Sequence, residues 1–310
     1  MRLIKKAIVT GANGFIGSKL VKELINESIA VYAIIKDENA DISSIKGITG
    51  VKIVYCDMLE YETLSDKITD EDIDFFYHFS WVGTSGDTRA DYNAQINNIV
   101  SSCKAFITAS KMNIKKFIYA ASIMEYEIIK LYETAPNKFK MNHIYCVSKL
   151  STHLMLLCLS SCSKMSFCTV VMSNIYGPGE LSQRLINTTI RKLIANEPCS
   201  FTHGKQLYDF IYIDDAVRGI RLIGEKGVSG SNYYLGCGRI MQLRNYLEII
   251  GTIIGKPDNL KFGEIPFDGV SLSYNEFDIN LLEKDTNFKS NVSFESGIKK
   301  TIDWIQKDVK

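Results

Sequence analysis

Residues 10–17 read TGANGFIG, in which glycine recurs at every third position. The stretch follows a strand-like run, LIKKAIVT at 3–10, and precedes SKLVKELINE at 18–27, whose apolar residues have helical spacing. Such glycines permit a tight turn and let the backbone approach a pyrophosphate, which then faces the positive end of the helix. Between a strand and a helix this pattern predicts a dinucleotide site, with a purely structural glycine turn as the alternative. The predicted contacts are Gly11, Asn13, Gly14, Phe15, Ile16 and Gly17.

Further apolar runs continue this alternation of strands and helices. They occupy residues 30–36, 51–56, 73–79, 115–121 and 166–173. The helical patterns between most of them predict a parallel sheet with helices on both faces. After residue 174 glycine and proline interrupt the pattern. We therefore expect a dinucleotide-binding domain at 1–174, to which a segment near 208–230 returns, and mainly a smaller lobe at 175–310.

The composition excludes several classes of protein. The chain has 310 residues, a net charge of +1 and no strongly charged block, so neither nucleic acid nor a membrane surface is an expected partner. Its longest apolar stretch, residues 153–172, is interrupted by Ser, Lys and Cys, which argues against a membrane span. The eight cysteines form no CxxC pair, so no metal site is predicted. The first residues lack the apolar core of a signal peptide, and we expect a cytoplasmic protein.

The end of the second predicted strand bears on the choice of cofactor. NAD-binding proteins usually carry an acidic residue there, which accepts hydrogen bonds from the adenosine ribose. Here the strand ends in Ile35 and Lys36, followed by Asp37. The missing carboxylate and the lysine favour NADP(H), because they would tolerate and attract a 2′-phosphate. In the alternative, Lys36 is merely solvated, Asp37 turns back to the ribose and the cofactor is NAD(H).

A tyrosine and a lysine occur four residues apart in HIYCVSK at 143–149. If residues 143–160 are helical, Tyr145 and Lys149 share one face of the helix. A neighbouring ammonium favours the phenolate and so brings the pKa of the tyrosine nearer to neutral, which suits proton transfer at an alcohol or carbonyl. Ser122 closes the strand-like run that begins at residue 115.

Together these motifs resemble the extended short-chain dehydrogenase/reductase family, which contains nucleotide-sugar epimerases, dehydratases and 4-ketoreductases. The resemblance extends over nearly the whole chain. Its other motifs are CDMLE (56–60), YHFSW (77–81), INNIVSS (96–102), NIYGPG (174–179), YDFIYIDDAV (208–217) and SFESGIKKTIDWI (293–305). The implied fold is α/β, a Rossmann-type doubly wound parallel sheet with a smaller α/β C-terminal lobe for the nucleotide sugar.

The resemblance also implies roles for individual residues. Tyr145 would be the acid/base at the sugar oxygen, Lys149 would tune it and hold the nicotinamide ribose, and Ser122 would hydrogen-bond the same oxygen. The remaining implied cofactor contacts are Asp57, Met58, Phe79, Ser80, Trp81 and Asn98. As alternatives, Asp57 forms a turn and Trp81 is a core aromatic.

On the sugar side the resemblance is less complete. Asn174 matches an asparagine that contacts the sugar diphosphate, but Tyr208 stands where the family usually has an arginine that grips it. Arg184 or Arg239 could replace that cation, unless Arg184 is simply solvated. The resemblance further implies that Met124, Glu125 and His143 lie near the sugar, with an exposed loop position as the alternative for His143.

The residues after Ser122 bear on the reaction. Dehydratases of the family carry Thr-Asp-Glu where this chain has Ser122, Ile123 and Met124, and aliphatic side chains cannot serve as the acid and base of an elimination. NADPH-dependent reduction of a nucleotide-linked 4-keto-6-deoxyhexose at C4 is the preferred hypothesis. A 4-epimerase with retained NAD is the alternative, and a non-catalytic dinucleotide sensor or scaffold is a third. A homodimer formed through helices near 88–112 and 143–162 is a family expectation.

Overall fold

Seven parallel strands form the central sheet of the computed structural model, which describes residues 5–308. The strands of the chain are β1 Lys6–Thr10, β2 Ala30–Ile35, β3 Val51–Tyr55, β4 Phe75–His78, β5 Lys116–Ser122, β6 Ser166–Met172, β7 Asn174–Tyr176, β8 Cys199–Phe201, β9 Leu207–Tyr208, β10 Phe210–Tyr212, β11 Asn232–Leu235, β12 Met241–Gln242 and β13 Leu260–Phe262. The order in the central sheet is β11-β6-β5-β4-β1-β2-β3. This confirms the predicted doubly wound parallel sheet, although residues 3 and 4 of the first predicted strand lie outside the described part.

Helices cover both faces of this sheet. They are α1 Phe15–Asn26, α2 Leu64–Lys67, α3 Tyr92–Lys111, α4 Met124–Thr134, α5 Ile144–Ser160, α6 Leu185–Ile194, α7 Ile213–Lys226, α8 Leu243–Ile254, α9 Asn280–Thr286 and α10 Phe294–Asp308. Side chains alternate along β1, so Val9 packs in one core with Leu24 of α1, while Ile8 packs in the other with Phe106 of α3. Both faces of the strand are therefore buried, which explains its continuous apolar run.

The direction in which the chain adds strands to the sheet reverses between the paired neighbours β1 and β4. The chain continues from β1 to β2 and β3 on one side and returns to β4 on the other, which opens a crevice at the carboxyl ends of these strands. Gly11 follows β1 with φ +66°, and a Cβ placed on it would lie 2.9 Å from the backbone of Ser80. A Cβ on Gly17 would lie 2.0 Å from the carbonyl oxygen of Gly11. The close approach of β1, β4 and α1 thus requires glycine at both positions.

The last third of the chain contributes to both parts of the molecule. Short strand pairs β7–β10, β8–β13 and β9–β12 pack with α6, α8 and α10 beside the sheet. Helix α7 returns to pack against α1, and β11 adds a parallel strand next to β6. The expected division at residue 174 stays a prediction.

Within residues 5–308 the structure contains no helix with the length and apolar character needed to cross a membrane. Nor does this described part contain a group of three or more His, Cys, Asp or Glu side chains placed to hold a metal ion.

Candidate active site

A buried hydrogen-bond network holds the crevice floor together. The hydroxyl of Thr10 accepts hydrogen bonds from the backbone N–H groups of Phe79 (3.1 Å) and Ser80 (3.2 Å) and lies 3.0 Å from Nδ1 of His78. Nε2 of His78 lies 2.9 Å from the hydroxyl of Ser102. Burial lowers the pKa of His78 to about 3, so the ring is neutral near pH 7. The network fixes the loop after β4 against the glycine turn.

The glycine turn leaves the start of α1 accessible. The N-cap, Gly14, provides no side-chain hydrogen bond, so the first N–H groups of the helix are free to meet an anion. The amide of Asn13 donates to the carbonyl oxygen of Asp41 at 2.9 Å and ties the turn to the loop after β2. All six predicted contacts within residues 11–17 line one cavity, which continues to Tyr145 and Lys149. The cradle therefore fits a dinucleotide pyrophosphate.

A second cavity of about 430 Å³ extends this crevice past the end of β2. Its walls include the predicted cofactor contacts Lys36, Asp57, Met58, Phe79, Ser80 and Trp81. The carboxylate of Asp57 also accepts a hydrogen bond from Leu59 N–H at 2.9 Å. Asp57 therefore forms a turn, as in the alternative interpretation, and also lines the cavity. The carboxylate of Asp37 accepts from Asn39 N–H at 2.9 Å, which commits it to its own turn.

The three predicted catalytic residues meet where this crevice joins the second half of the molecule. Ser122 ends β5, Tyr145 is the second residue of α5, and Lys149 follows one turn later. The Lys149 amine donates to the carbonyl oxygen of Ala120 at 2.9 Å and lies 3.6 Å from the ring centroid of Trp81. Burial lowers the pKa of Lys149 to about 7. Trp81 is held in turn by a 3.0 Å hydrogen bond from its indole N–H to Gln95.

The electrostatics of Tyr145 involve two arginines, while the tuning by Lys149 that the resemblance implies stays a prediction. Burial raises the pKa of Tyr145, and the charges that oppose this effect are those of Arg184 and Arg89. The Ser122 hydroxyl also lowers the pKa of Tyr145. The guanidinium carbon of Arg89 lies 4.6 Å from the centroid of the Tyr145 ring. Two arginines therefore act on the phenol, while the lysine amine contacts Ala120 and Trp81.

A third cavity of about 360 Å³ opens on the other side of Tyr145. It brings together most of the predicted substrate residues with Ser122 and Tyr145, namely Met124, Asn174, Arg184 and Tyr208. His143 lines an adjoining cavity, where its Nδ1 accepts a hydrogen bond from Lys140 N–H at 3.1 Å. Arg184 also lies 3.6 Å from the carboxylate of Glu180, so it is not simply solvated.

Three residues singled out from the sequence do not line these cavities. Asn98 is 1% exposed and clamps the backbone of Val82, through hydrogen bonds of 2.9 Å to its N–H and 2.8 Å to its carbonyl oxygen. Glu125 is also 1% exposed and turns into the core. Arg239 is exposed outside the three cavities. Asn98 and Glu125 are thus buried and do not line the cofactor and sugar cavities that they were expected to contact.

The polar residues of the third cavity that were not anticipated from the sequence include Arg89 and Glu127. Arg89 lies in a short 3₁₀ helix on the loop after β4. Glu127 lies one helical turn after Met124, on the face of α4 that meets the cavity. The three-residue spacing from Met124 was a usable indication for Glu127, whereas the loop around Arg89 has no periodic pattern.

The fold and site define a nucleotide-dependent enzyme of the extended short-chain dehydrogenase/reductase type. The model of the NAD dependent epimerase/dehydratase family matches residues 7–236. The chain belongs to the NAD dependent epimerase/dehydratase family, as the sequence motifs indicated.

The similar proteins include two that are named for different nucleotide sugars. CDP-abequose synthase from Salmonella muenchen is 22% identical, over 96% of this chain and 97% of that protein. The structure of UDP-N-acetylglucosamine 4-epimerase from Methanobrevibacter ruminantium M1, in complex with UDP-N-acetylmuramic acid, has a TM-score of 0.80 at 23% identity, covering 98% of this chain and 99% of that one. The Bordetella bronchiseptica enzyme WbmF in complex with NADH has a TM-score of 0.80 at 19% identity, covering 99% and 93%. These structures share the fold of this chain.

Proposed function

We propose that the protein reduces the C4 carbonyl of a nucleotide-linked 4-keto-6-deoxyhexose with NADPH, in deoxysugar biosynthesis. The observation that carries the proposal is the wall beside Ser122, where Ile123 is buried and Met124 faces the cavity. Elimination of water from the hexose would need an acid and a base at these two positions. Glu127 lines the same cavity but lies one helical turn beyond them. Reduction at one carbon requires, besides the hydride of the cofactor, only the proton that Tyr145 can supply.

The side chains of the site have distinct tasks in this reaction. Tyr145 protonates the C4 oxygen. The carbonyl becomes an alcohol when its carbon accepts one hydride and its oxygen one proton. The charges of Arg184 and Arg89 support this role because they lower the pKa of the buried phenol. Ser122 orients the same oxygen, and Lys149 holds the nicotinamide ribose. When bound, the dinucleotide supplies the hydride.

The end of β2 supports NADPH as the reductant. Lys36 is exposed and lines the cavity, where its ammonium would meet a 2′-phosphate. The carboxylate of Asp37 is bound to Asn39 N–H and does not line that cavity. The alternative in which Asp37 receives the ribose of NAD therefore has less support.

A further cavity supports the proposal that the substrate sugar is linked to a nucleotide. It has a volume of about 460 Å³ and shares Tyr208 with the cavity beside Ser122. Its walls combine apolar side chains that could stack on a base, Leu185 and Phe201, with the amide of Gln206. Arg184 is the proposed diphosphate cation, since Tyr208 replaces the arginine usual in the family.

The experiment that tests the function is a substrate panel. Purified protein is mixed with NADPH and a CDP-, dTDP-, GDP- or UDP-linked 4-keto-6-deoxyhexose, and the loss of NADPH absorbance is followed. A reductase consumes one NADPH per sugar. A 4-epimerase would use the same Ser122, Tyr145 and Lys149 but interconvert two nucleotide sugars on tightly bound NAD without net consumption, which would contradict the proposal. Cofactor binding without any turnover would instead favour the sensor hypothesis.

We also propose a homodimer formed by α3 and α5. These helices pack against each other and expose large apolar side chains on their outer surface. Three of those on α3 recur at four-residue intervals, and the proposed stripe consists of Tyr92, Ile96, Val100, Val147, Leu154 and Met155. A contiguous apolar stripe of this kind is typical of a protein interface.

A further inference from the structure

Arg89 and Glu127 are two charged residues of the Ser122 cavity to which the reaction described above assigns no contact with the sugar. Arg89 lies across the ring of Tyr145, with its guanidinium carbon 4.6 Å from the ring centroid. Its Nη2 lies 3.0 Å from the sulfur of Met124 and 3.6 Å from that of Cys146. Sulfur is a weak hydrogen-bond acceptor, so these contacts satisfy the guanidinium poorly.

The remaining hydrogen-bonding groups of this pair lack a protein partner. Nε of Arg89 is buried and has no hydrogen bond. The Glu127 carboxyl accepts no hydrogen bond from another described residue. Burial raises the pKa of Glu127 to about 7, an effect that the charge of Arg89 opposes. A buried donor without a partner is costly, so the unpaired Nε of Arg89, beside the partly buried carboxyl of Glu127, implies a ligand that completes the site.

We propose that Arg89 and Glu127 bind the sugar ring itself and determine which hexose is accepted. Nε of Arg89 donates to a sugar oxygen, and the carboxylate of Glu127 accepts a hydrogen bond from a ring hydroxyl. This inference rests on the proposed function, because it takes the ligand to be a nucleotide sugar. A site built to hydrogen-bond a hydroxyl rejects analogues that lack it, since its own polar groups are then left unpaired.

The location of the pair separates it from the nucleotide site. Both residues line the cavity that contains Ser122 and Tyr145, whereas neither lines the neighbouring cavity of Phe201 and Gln206, where the base is proposed to bind. Their contribution should therefore concern the sugar and leave the nucleoside diphosphate unaffected. This difference gives a binding measurement that does not depend on turnover.

The test compares two ligands by calorimetry at pH 8, where Glu127 is mainly ionised. CDP, dTDP, GDP and UDP are titrated first, and the tightest binder is then compared with its glucose conjugate. We expect Arg89→Met and Glu127→Leu each to weaken binding of the nucleotide glucose about 10- to 100-fold, the usual effect of a charge-assisted hydrogen bond. Binding of the nucleoside diphosphate should change less than about twofold.

Matched variants exclude a general disturbance of the fold. Glu133→Leu removes an exposed carboxylate from the same helix, and Arg244→Met removes an arginine stacked at 4.5 Å on Phe262; neither should alter binding. The conservative variants Glu127→Gln and Arg89→Lys, which retain an acceptor and a cation, should recover part of the lost affinity.

Two failures can be told apart. Equal binding of the nucleotide glucose by wild type and both truncating variants, or an equal loss for the nucleoside diphosphate, would overturn the role of the pair alone. A wild-type protein that binds none of the four nucleoside diphosphates would contradict the proposed function and, with it, this inference.

Discussion

The carboxyl of Glu125 accepts a hydrogen bond from the backbone N–H of Ser122, across 3.1 Å. Its second oxygen lies 2.7 Å from Nδ1 of His153 on α5, and Nε2 of that ring lies 3.1 Å from the hydroxyl of Thr169 on β6. The chain of contacts ties the end of β5 to the helix that carries Tyr145. Glu125 therefore positions Ser122 from the core side of the strand end. The family resemblance implied instead that it lies near the sugar.

Truncation of Glu125 should show this structural role. Glu125→Ala leaves the Ser122 N–H and His153 without their partner in the core, so we expect the free energy of unfolding to fall by about 3 kcal/mol. Urea unfolding measures the loss. The exposed Glu133 on the same helix is the control, and Glu133→Ala should change stability by less than about 0.5 kcal/mol. A Glu125→Ala protein as stable as this control would contradict the role.

The contrast between Glu125 and Glu127 shows where prediction from the sequence ends. Two residues apart on a helix, their side chains point about 200° from each other, so one enters the core and the other the cavity. Which of the two side chains faces the cavity depends on how α4 packs against the rest of the molecule. The local sequence pattern does not contain this information. The glycine turn and the Tyr145–Lys149 spacing were predictable because their geometry is set within a few residues.

Arg89 shows a second limit. Its loop is shaped by glycines in left-handed conformation, Gly83 at φ +76° and Gly86 at φ +63°, and by the clamp of Asn98 on Val82. These contacts join residues far apart in the chain, so the path of the loop follows from the tertiary structure. The sequence indicated Lys149, the neighbour of Tyr145 on α5, as a charge near the phenol, but it gave no indication of the arginine that lies across the ring.

Loss of the Tyr145 hydroxyl should stop the reaction without affecting cofactor binding. Tyr145→Phe keeps the ring that Arg89 covers but removes the proton donor. We expect turnover to fall about 10²- to 10⁴-fold, the usual contribution of general acid catalysis. NADPH oxidation measures turnover and fluorescence titration measures cofactor affinity. Tyr132→Phe, at a 71% exposed position, is the control. Retained turnover in Tyr145→Phe would refute the assigned role.

Lys36 should determine the preference for NADPH. In Lys36→Ala the 2′-phosphate loses its cation, so we expect KM for NADPH to rise about 10- to 100-fold while KM for NADH changes about twofold or less. Steady-state kinetics with both cofactors test this difference. Lys111→Ala, which removes an exposed lysine from the end of α3, should alter neither constant. An unchanged NADPH:NADH ratio in Lys36→Ala would show that another group selects the cofactor.

A charge placed in the apolar stripe should weaken the dimer. Ile96 and Leu154 are 51% and 52% exposed, and lysine at either position would have to be buried at the proposed interface. Sedimentation velocity of Ile96→Lys and Leu154→Lys should show at least about a tenfold rise in the dimer dissociation constant. Val228, which is 55% exposed in the loop after α7, gives the matched Val228→Lys control. Monomeric wild-type protein would refute the proposed dimer.

The buried His78 should make the fold sensitive to mild acid. Its pKa is lowered to about 3 by burial, whereas an unfolded histidine has a pKa of about 6.5. The unfolded chain therefore takes up a proton that the folded chain excludes, and stability falls as the pH drops below about 6.5. The slope is about 1.4 kcal/mol per pH unit down to about pH 4.5, below which carboxylates also titrate. Urea unfolding at several pH values should give a shallower slope for His78→Gln than for wild type. The exposed-site variant His203→Gln is the control and should keep the wild-type slope. Equal slopes for wild type and His78→Gln would mean that the network of Thr10, His78 and Ser102 tolerates a charged imidazole.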